Sequence, residues 1–384
     1  MMYGTIRFGD LYAIDSRNGL SKPSKIRGSG YKMINMGELF ANDRIYDIPM
    51  ELVPLKDSEK INAKVEVGDL LFARQSLVLE GAGKCSIVME VSPLTVFESH
   101  LIRVRLKDNA NPLFYYYYFR STLSSMKSIV SQCAQAGIRG SDLRELNVLF
   151  PPKNVQDKIA NILKKYDELI ENNKKQIKLL EEAAQRLYKE WFVDLRFPGY
   201  EQTEIIDGIP KDWEKKLIGD IIGKISRTKQ IKTSDYLSKG AIPVVDQSRD
   251  FIAGYTNDKD SVVNLGIPII VFGDHTRILK YIQFPFAKGA DGTQLIISDK
   301  DNMPQSLLYL SLKAVDLSNY HYARHFKYLK AEIILVPTKE IGDKFDRIVS
   351  PMLYRIQKLR DICNKSSQIR DCLLPKLLSG EIEV

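Results

Sequence analysis

Two stretches of the chain carry apolar residues at the spacing of a coiled-coil helix. The first stretch has them at Ile159, Ile162, Tyr166, Leu169, Ile177, Leu180, Ala184, Leu187 and Trp191. The second has them at Ile341, Phe345, Ile348, Met352, Ile356, Leu359 and Cys363. Steps of three and four alternate, with one 4-4 step in each stretch, the first through Asn173, where it resembles a stutter. Two matched seams predict that the helices pack on each other as an antiparallel pair. The alternative is that each helix lies on its own domain.

An internal repeat surrounds these helices. Leu143-Arg-Glu-Leu-Asn-Val-Leu-Phe-Pro151 returns as Leu329-Lys-Ala-Glu-Ile-Ile-Leu-Val-Pro337, at an offset of 186 residues. Each copy predicts a short strand, a proline stop and a long helix. Upstream, Phe8-Gly-Asp10 returns as Ile218-Gly-Asp220. Pro351 lies inside the second helix and predicts either a kink or a later helix start.

The repeat predicts an α+β protein with two similar globular α/β domains separated by two long antiparallel helices. We expect a first domain over 1–152, a central helix over 153–197, a second domain over 198–337, and a distal helix and tail over 338–384. At about 1.5 Å per residue the central helix would be about 55 Å long. Two similar domains held by such a spacer suggest a protein that reads two places on duplex DNA at a fixed separation.

Composition adds charge to this picture. The chain of 384 residues has a formal net charge of +8, which favours encounter with a polyanion such as nucleic acid. Four scattered cysteines, without a CxxC pair, are typical of reduced thiols and predict neither a zinc site nor a disulfide scaffold. No apolar run approaches the length of a membrane helix, and the first residues do not read as a signal peptide. We therefore expect a cytoplasmic protein that does not enter a membrane.

Several segments then resemble one protein family. They are Glu181-Glu-Ala-Ala-Gln-Arg-Leu-Tyr-Lys-Glu-Trp-Phe-Val-Asp-Leu-Arg-Phe-Pro-Gly-Tyr-Glu201, Gly208-Ile-Pro-Lys-Asp-Trp213, His321-Tyr-Ala-Arg-His-Phe-Lys-Tyr-Leu329 and Leu373-Leu-Pro-Lys-Leu-Leu-Ser-Gly-Glu-Ile382. Together they resemble the DNA specificity subunits of type I restriction-modification systems. The resemblance runs through the whole chain in order, and it is closest in the helical regions and the tail.

The resemblance implies a non-catalytic subunit with two target recognition domains that select a split, asymmetric DNA sequence. It implies a complex with two modification (methyltransferase) subunits and, for cleavage, two restriction subunits. No cofactor is expected on this chain. S-adenosylmethionine, ATP and magnesium are expected on the partner subunits.

Three segments imitate catalytic motifs. Asn111-Pro-Leu-Phe114 resembles the loop by which amino-methyltransferases hold a flipped base, but Leu113 replaces the second proline and no glycine-rich cofactor loop stands upstream. Gly81-Ala-Gly-Lys84 lacks the first glycine and the hydroxyl residue of a phosphate-binding loop, so a turn is the better interpretation. Asp194 and Glu214 flank a turn-rich linker and read as solvated charge. His321 and His325 are one helical turn apart, but no third metal ligand accompanies them.

Candidate DNA contacts are polar residues in loops that follow apolar strands, where a scaffold can hold side chains outward. The predicted set is Asn35, Arg74, Gln75, Lys84 and Arg139 in the first domain, and Asp246, Gln247, Arg249, His275, Arg277, Lys288, Thr293, Arg324 and His325 in the second. Arg249 and Arg277 would suit guanine, and Gln247 would suit adenine. Each of these residues could instead be an ordinary solvated loop residue.

The outer faces of the helices and the tail are the predicted docking surface for the modification subunits, with Lys174, Lys175, Arg186 and Trp191 as candidate contacts. Two alternatives stay open at this point. One is a self-contained methyltransferase or nuclease, and the other is a coiled-coil scaffold that does not bind DNA.

Overall fold

The structure is a computed structural model that describes residues 3–132, 136–289, 292–320 and 324–384. Cys133 and His321 lie outside the described residues. The chain divides into two compact units. Unit 1 combines Met1–Ile170 with Asn364–Val384, and unit 2 is Glu171–Cys363. Both long helices therefore contribute to both units.

Unit 1 is built around a five-stranded sheet of order β2-β10-β6-β8-β4. Its strands are β1 (Thr5–Arg7), β2 (Tyr12–Asn18), β3 (Tyr31–Ile34), β4 (Arg44–Ile45), β5 (Glu51–Val53), β6 (Leu70–Ala73), β7 (Gln75–Ser76), β8 (Cys85–Val88), β9 (Thr95–Phe97), β10 (Leu101–Leu106), β11 (Ser131–Gln132), β12 (Ala136–Gly137) and β13 (Asn147–Leu149). Its short helices are α1 (Met36–Ala41), α2 (Asp57–Asn62), α3 (Pro112–Arg120) and α4 (Gly140–Glu145).

Helix α3 supplies much of the core of unit 1. Phe119 stacks edge-on against Phe8 and Phe72, with ring centroids 4.8 and 5.0 Å away. The side chains of Tyr115–Tyr118 in this helix are also buried. The helix begins at Asn111, whose Oδ1 accepts hydrogen bonds from the backbone N–H of Leu113 and Phe114. In this structure Asn111 therefore acts as a helix cap, which explains its place before a proline.

Unit 2 contains a three-stranded sheet of order β22-β21-β24 and a second sheet of order β17-β23-β18-β19, with β20 also on β23. Its strands are β14 (Ile205–Ile206), β15 (Ile209–Pro210), β16 (Glu214–Leu217), β17 (Gln230–Ile231), β18 (Ile242–Val245), β19 (Gly254–Thr256), β20 (Val262–Val263), β21 (Ile269–Gly273), β22 (Leu279–Ile282), β23 (Phe286–Gly289), β24 (Thr293–Ile296) and β25 (Ile333–Val336). The short helices of unit 2 are α6 (Gln305–Ala314) and α7 (His325–Ala331). The two long helices, which both units share, are α5 (Lys153–Tyr188) and α8 (Lys339–Ser379).

The internal repeat is visible in the hydrogen bonding of each unit. In unit 1, β1 pairs antiparallel with β13, and the N–H of Phe8 donates to Leu146 O at 2.8 Å. In unit 2, β16 pairs antiparallel with β25, and the N–H of Ile218 donates to Glu332 O at 2.9 Å. Leu146 and Glu332 stand at the offset that the sequence repeat predicts. The two units therefore share one plan: a strand, a short 3₁₀ turn, a sheet, two helices, a partner strand and a long helix.

Helices α5 and α8 run antiparallel within each unit. In unit 1, Arg370 of α8 binds Asp167 of α5, and in unit 2, Arg360 of α8 binds Glu181 of α5 at 2.7 Å. Within unit 2, Phe345 of α8 also contacts Tyr188 at the end of α5, with ring centroids 6.5 Å apart. The residue number on α8 therefore falls as that on α5 rises, which confirms the predicted antiparallel arrangement. Helix α8 begins at Lys339 and contains Pro351, so this proline does not delay the helix start.

The buried seam of α5 differs from the predicted one. Leu163 and Ile170 are buried in place of Ile162 and Leu169, and Leu169 is exposed. With this choice the steps alternate four and three from Ile159 to Trp191 without interruption, so the predicted stutter is absent. On α8 the same correction applies: Val349 is buried and the predicted Ile348 is exposed.

Candidate nucleic-acid interface

The candidate site of unit 1 lies at one end of its central sheet. The backbone N–H of Arg74, just after β6, donates to His100 O at 2.8 Å, and Arg74 O accepts from the N–H of Ile138 at 2.9 Å. Gln75 pairs with Gly137 in the small sheet β11-β12-β7. This pairing places Arg74, Gln75, His100 and Arg139 together, and we call these four residues rim 1.

Rim 1 brings together three residues that the sequence predicted, Arg74, Gln75 and Arg139. Arg139 is exposed and precedes α4, whereas Arg74 and Gln75 are half-buried. His100 was missed because strand pairing, not sequence distance, brings it here. Its position in the loop after the buried strand β9 was the available signal, since the same rule selected the other loop residues.

Two predicted contacts of unit 1 are corrected by the structure. Lys84 donates to Phe40 O at 2.8 Å and forms an ion pair with Asp43 at 3.2 Å, so its charge is used inside the protein. Burial raises the pKa of Asp43, but hydrogen bonds and charge from Arg120 and Lys84 outweigh it and lower the pKa overall. Asn35 precedes α1, where its N–H donates to the Glu38 carboxylate at 2.8 Å, and its side-chain amide contacts Met33 O and Glu51. Both residues hold the fold of unit 1.

The candidate site of unit 2 gathers loops from distant parts of the chain. The N–H of His275 donates to Gln247 Oε1 at 3.1 Å, and Thr276 Oγ1 donates to Gln247 O at 2.6 Å. Lys288 on β23 pairs with Val245 at the end of β18, two residues before Gln247. The N–H of His325, at the start of α7, donates to Asp274 O at 2.8 Å.

These contacts place most of the predicted residues of unit 2 around one surface, which we call rim 2: Gln247, Arg249, His275, Arg277, Lys288 and Arg324. Arg249, His275, Arg277 and Arg324 are exposed, and Gln247 and Lys288 are half-buried. Rim 2 therefore presents several cationic groups beside amide and imidazole groups. Cationic groups bind DNA phosphates, and cationic, amide and imidazole groups can all form hydrogen bonds to base edges.

The backbone of rim 2 is held in an unusual conformation. Arg277 has a φ of +62°, in the left-handed region that non-glycine residues rarely occupy. Its N–H donates to Gly273 O at 2.8 Å, and its Nη1 donates to Leu317 O at 2.9 Å. Gly289 allows the Tyr236 side chain to approach the backbone of β23 closely, since an added Cβ at this position would lie 2.4 Å from the Tyr236 hydroxyl.

Three predicted contacts of unit 2 turn out to support the loops instead. His325 is buried, and its Nδ1 and Nε2 lie 2.8 and 2.9 Å from Asp274 O and Tyr320 O. Thr293 is buried at the start of β24. Asp246 accepts from the Ser248 N–H at 2.9 Å and from the Tyr236 hydroxyl at 3.3 Å. Because His325 and Asp246 hydrogen-bond within the protein and Thr293 is buried, we do not include these three residues in rim 2.

A buried lysine ties the loop of rim 2 to the sheet beneath it. Lys280 on β22 donates through Nζ to Asp246 O at 2.8 Å and also contacts Asp250 O. Burial lowers the pKa of Lys280, and the nearby Asp246 and Asp250 carboxylates oppose that shift. The loop that carries Gln247 and Arg249 is thus fixed from below, which is the support that precise recognition requires.

The four predicted partner contacts fall into two groups. Lys174, Lys175 and Arg186 are exposed on α5 within unit 2. Trp191 is buried against Phe345, with ring centroids 5.6 Å apart, so it belongs to the core of unit 2 and not to a docking surface. Arg186 also lines a cleft of about 390 Å³ between α5 and α6.

Three other features that the sequence analysis considered are a metal site, the Asp194 carboxylate and a membrane helix. No group of three His, Cys, Asp or Glu residues there is arranged to hold a metal ion. Asp194 is paired with Lys189 at 2.8 Å. No helix among the described residues combines the length and the apolar character needed to cross a membrane.

The fold and the two rims together indicate a class of protein. It has two similar α/β units, and each unit presents basic and polar loops that are suited to binding nucleic acid. Residues 3–182 match the family model described as "Type I restriction modification DNA specificity domain". The chain is 29% identical over 307 residues to the type I restriction enzyme MjaIX specificity subunit of Methanocaldococcus jannaschii, covering 72% of this chain and 71% of that protein. It is 28% identical over 157 residues to the EcoKI specificity subunit of Escherichia coli, covering 40% of this chain and 33% of that one.

A solved structure shares this fold. The crystal structure of the type I restriction-modification S subunit from M. genitalium superposes with a TM-score of 0.60 at 17% identity, covering 98% of this chain and 96% of that chain. The chain is therefore similar over most of its length to the DNA specificity subunits of type I restriction-modification systems, in agreement with the sequence resemblance. The MjaIX and EcoKI relatives are both named as specificity subunits, which is the role that the sequence resemblance implies.

Proposed function

We propose that this subunit reads a split, asymmetric DNA sequence, with rim 1 reading one half and rim 2 reading the other. The observation that carries this proposal is the convergence of predicted loops in unit 2. Residues from four separate segments, around Gln247, His275, Lys288 and Arg324, meet on one surface. Rim 1 occupies the corresponding sheet end of unit 1 but carries different side chains. Unlike side chains on a repeated scaffold would select unlike half-sites.

The division into two recognition domains and two helices, with the boundaries predicted from the sequence, is part of this proposal. The helices would serve as the spacer that sets the distance between half-sites. The salt dependence of DNA binding would reflect the cationic groups of both rims, since released counterions accompany each phosphate contact.

We also propose the composition of the complex. Two modification subunits would bind the helices and the tail and would methylate adenine with S-adenosylmethionine. Two restriction subunits, using ATP and magnesium, would join for cleavage. This chain would bind none of these cofactors itself, and the complex would act on DNA in the cytoplasm.

The test of the proposed function is a map of methylated adenines in cells with and without the gene for this chain. We expect one split, asymmetric motif that is methylated only when the gene is present. A methylation pattern that does not depend on the gene would contradict the proposal. Incubation of the purified chain alone with DNA, magnesium and S-adenosylmethionine tests the alternative, because a self-contained enzyme would methylate or cleave the DNA.

Docking of the modification subunits makes a separate prediction. Reversing the charges of Lys174, Lys175 and Arg186 to glutamate should weaken co-purification with the modification subunit and reduce methylation, because the change places three like charges where cations are expected to contact the partner. Lys259→Glu is the control, since Lys259 is exposed in a 3₁₀ turn of unit 2 that belongs to neither α5 nor α8. Unchanged assembly in the triple variant would show that the partner binds elsewhere.

A further inference from the structure

One loop of rim 1 exposes apolar side chains that the recognition chemistry described so far does not use. Leu77, Val78 and Leu79 follow β7 directly, and 89%, 59% and 46% of their surfaces are exposed. Burying a leucine side chain is worth about 1.5–3 kcal/mol, so three consecutive apolar residues in water are unfavourable unless a partner covers them. We call Leu77–Leu79 the apolar tip.

The loop beneath the apolar tip has a defined shape. Its first residues, Gln75 and Ser76, pair with β12, and the N–H of Val78 donates to Ser76 Oγ at 3.2 Å. The N–H of Gly81 then closes the loop by donating to Val78 O at 3.1 Å. A Cβ on Gly81 would lie 2.2 Å from Ser76 Oγ, so the loop base is as narrow as glycine allows. The tip is therefore presented outward by hydrogen bonds at its base.

The internal repeat shows what this loop corresponds to in unit 2. In unit 1, β6 lies between β10 and β8, and in unit 2, β21 lies between β24 and β22. The loop that follows β6 contains the apolar tip, and the loop that follows β21 contains His275 and Arg277 of rim 2. The apolar tip in unit 1 therefore corresponds to the polar loop of unit 2 that we assign to DNA recognition.

Charge near the tip favours DNA over a protein surface as its partner. Arg74 and Gln75 precede the tip on the same loop, and Arg139 follows the strand that pairs with β7. Glu80 is the one acidic residue of the segment Arg74–Lys84. Proteins that deform DNA commonly insert a leucine or a similar wedge between base pairs while neighbouring arginines hold the backbone.

We propose that the apolar tip is a DNA wedge, in which Leu77 inserts at a base step of the half-site read by unit 1. The inserted side chain unstacks that step and kinks the duplex away from the side of insertion. Unit 2, with His275 and Arg277 in the same loop, reads its half-site without such insertion. This inference rests on the proposed function and adds a mode of recognition to it.

The test uses the full chain in complex with the modification subunit and a duplex that carries its mapped target. 2-Aminopurine, which fluoresces more strongly when unstacked, replaces each base of the unit 1 half-site in turn. The wild-type complex should show a fluorescence increase at one step. Leu77→Ala should remove that increase and weaken specific binding about tenfold or more, because the buried apolar contact is lost. Ile61→Ala is the matched control, since Ile61 is 80% exposed in α2 of the same unit.

The possible outcomes separate this inference from the proposed function. If Leu77→Ala leaves both fluorescence and affinity unchanged while sequence-specific binding persists, the wedge is wrong and the proposed function stands. If Leu77→Ala instead disrupts assembly with the modification subunit, the tip is a protein contact and the wedge is also wrong. A wild-type complex that binds no specific sequence would contradict the proposed function itself. A second variant, Leu77→Met, should restore affinity and the fluorescence signal, because methionine keeps the apolar volume.

Discussion

Replacement of Asp167 by alanine should destabilise unit 1 by about 3–5 kcal/mol, the loss expected when a buried charge loses its partner. Asp167 is buried on α5, where it accepts from the Tyr117 hydroxyl at 2.7 Å and binds Arg370 of α8. The Arg44 guanidinium, also buried, lies 3.8 Å away. Removing the carboxylate leaves two arginines facing each other in a site of low polarity.

The effect is measured by hydrogen exchange of the amides in α3 and β4, both within unit 1. Both tryptophans, Trp191 and Trp213, lie in unit 2, so their fluorescence during denaturation reports the other unit separately. The matched control is Asp371→Ala, which removes an exposed carboxylate that contacts the same Arg370 and should cost less than about 1 kcal/mol. Equal effects of the two variants would show that the buried cluster does not stabilise unit 1.

Replacement of His325 by leucine should weaken recognition of the half-site read by unit 2 about 10–100-fold. The side chain links α7 to the loop of rim 2, because its ring nitrogens contact Asp274 O and Tyr320 O. Leucine has a similar size but no donor, and a buried carbonyl without a donor costs about 1–3 kcal/mol. The loop with His275 and Arg277 would keep the backbone hydrogen bond from residue 325 to Asp274 O but lose the side-chain link, so it would be held less firmly. Specificity would then fall although neither His275 nor Arg277 is changed.

This prediction is measured as the ratio of specific to nonspecific DNA affinity at constant salt. The ratio should fall about 10–100-fold, while nonspecific binding, which depends on the surface cations, should change little. Lys330→Ala provides the control on the same helix, since Lys330 is exposed and contacts the Phe326 ring. If His325→Leu preserves the ratio, His325 does not position the recognition loop.

The repeat and the antiparallel helices could be predicted because both leave a regular spacing of residues in the sequence. The choice between adjacent apolar residues could not. Leu169 and Ile170 are equally apolar, and only the packing of α5 in unit 1 buries the second. The stutter assigned to Asn173 followed from that choice, because the buried seam through Ile170 keeps the alternation of steps.

The candidate site shows a similar limit. Loops at strand ends could be predicted, and those of unit 2 do meet on one surface. The role of each residue could not be predicted, because a polar side chain can form hydrogen bonds to the protein backbone as readily as to DNA. His325, Asp246 and Asn35 all have the residue types that read DNA, yet each is used to hold a loop or to begin a helix. Hydrogen-bond partners, which only three-dimensional structure supplies, separate the two roles.

The central claim is that two independent units each read one half of the target. It is tested most directly by exchanging the segment 210–320 for that of another specificity subunit and mapping the methylated adenines. Only the half-site read by unit 2 should change, while the other half-site stays as it was. A change in both half-sites, or in neither of them while methylation persists, would contradict the account.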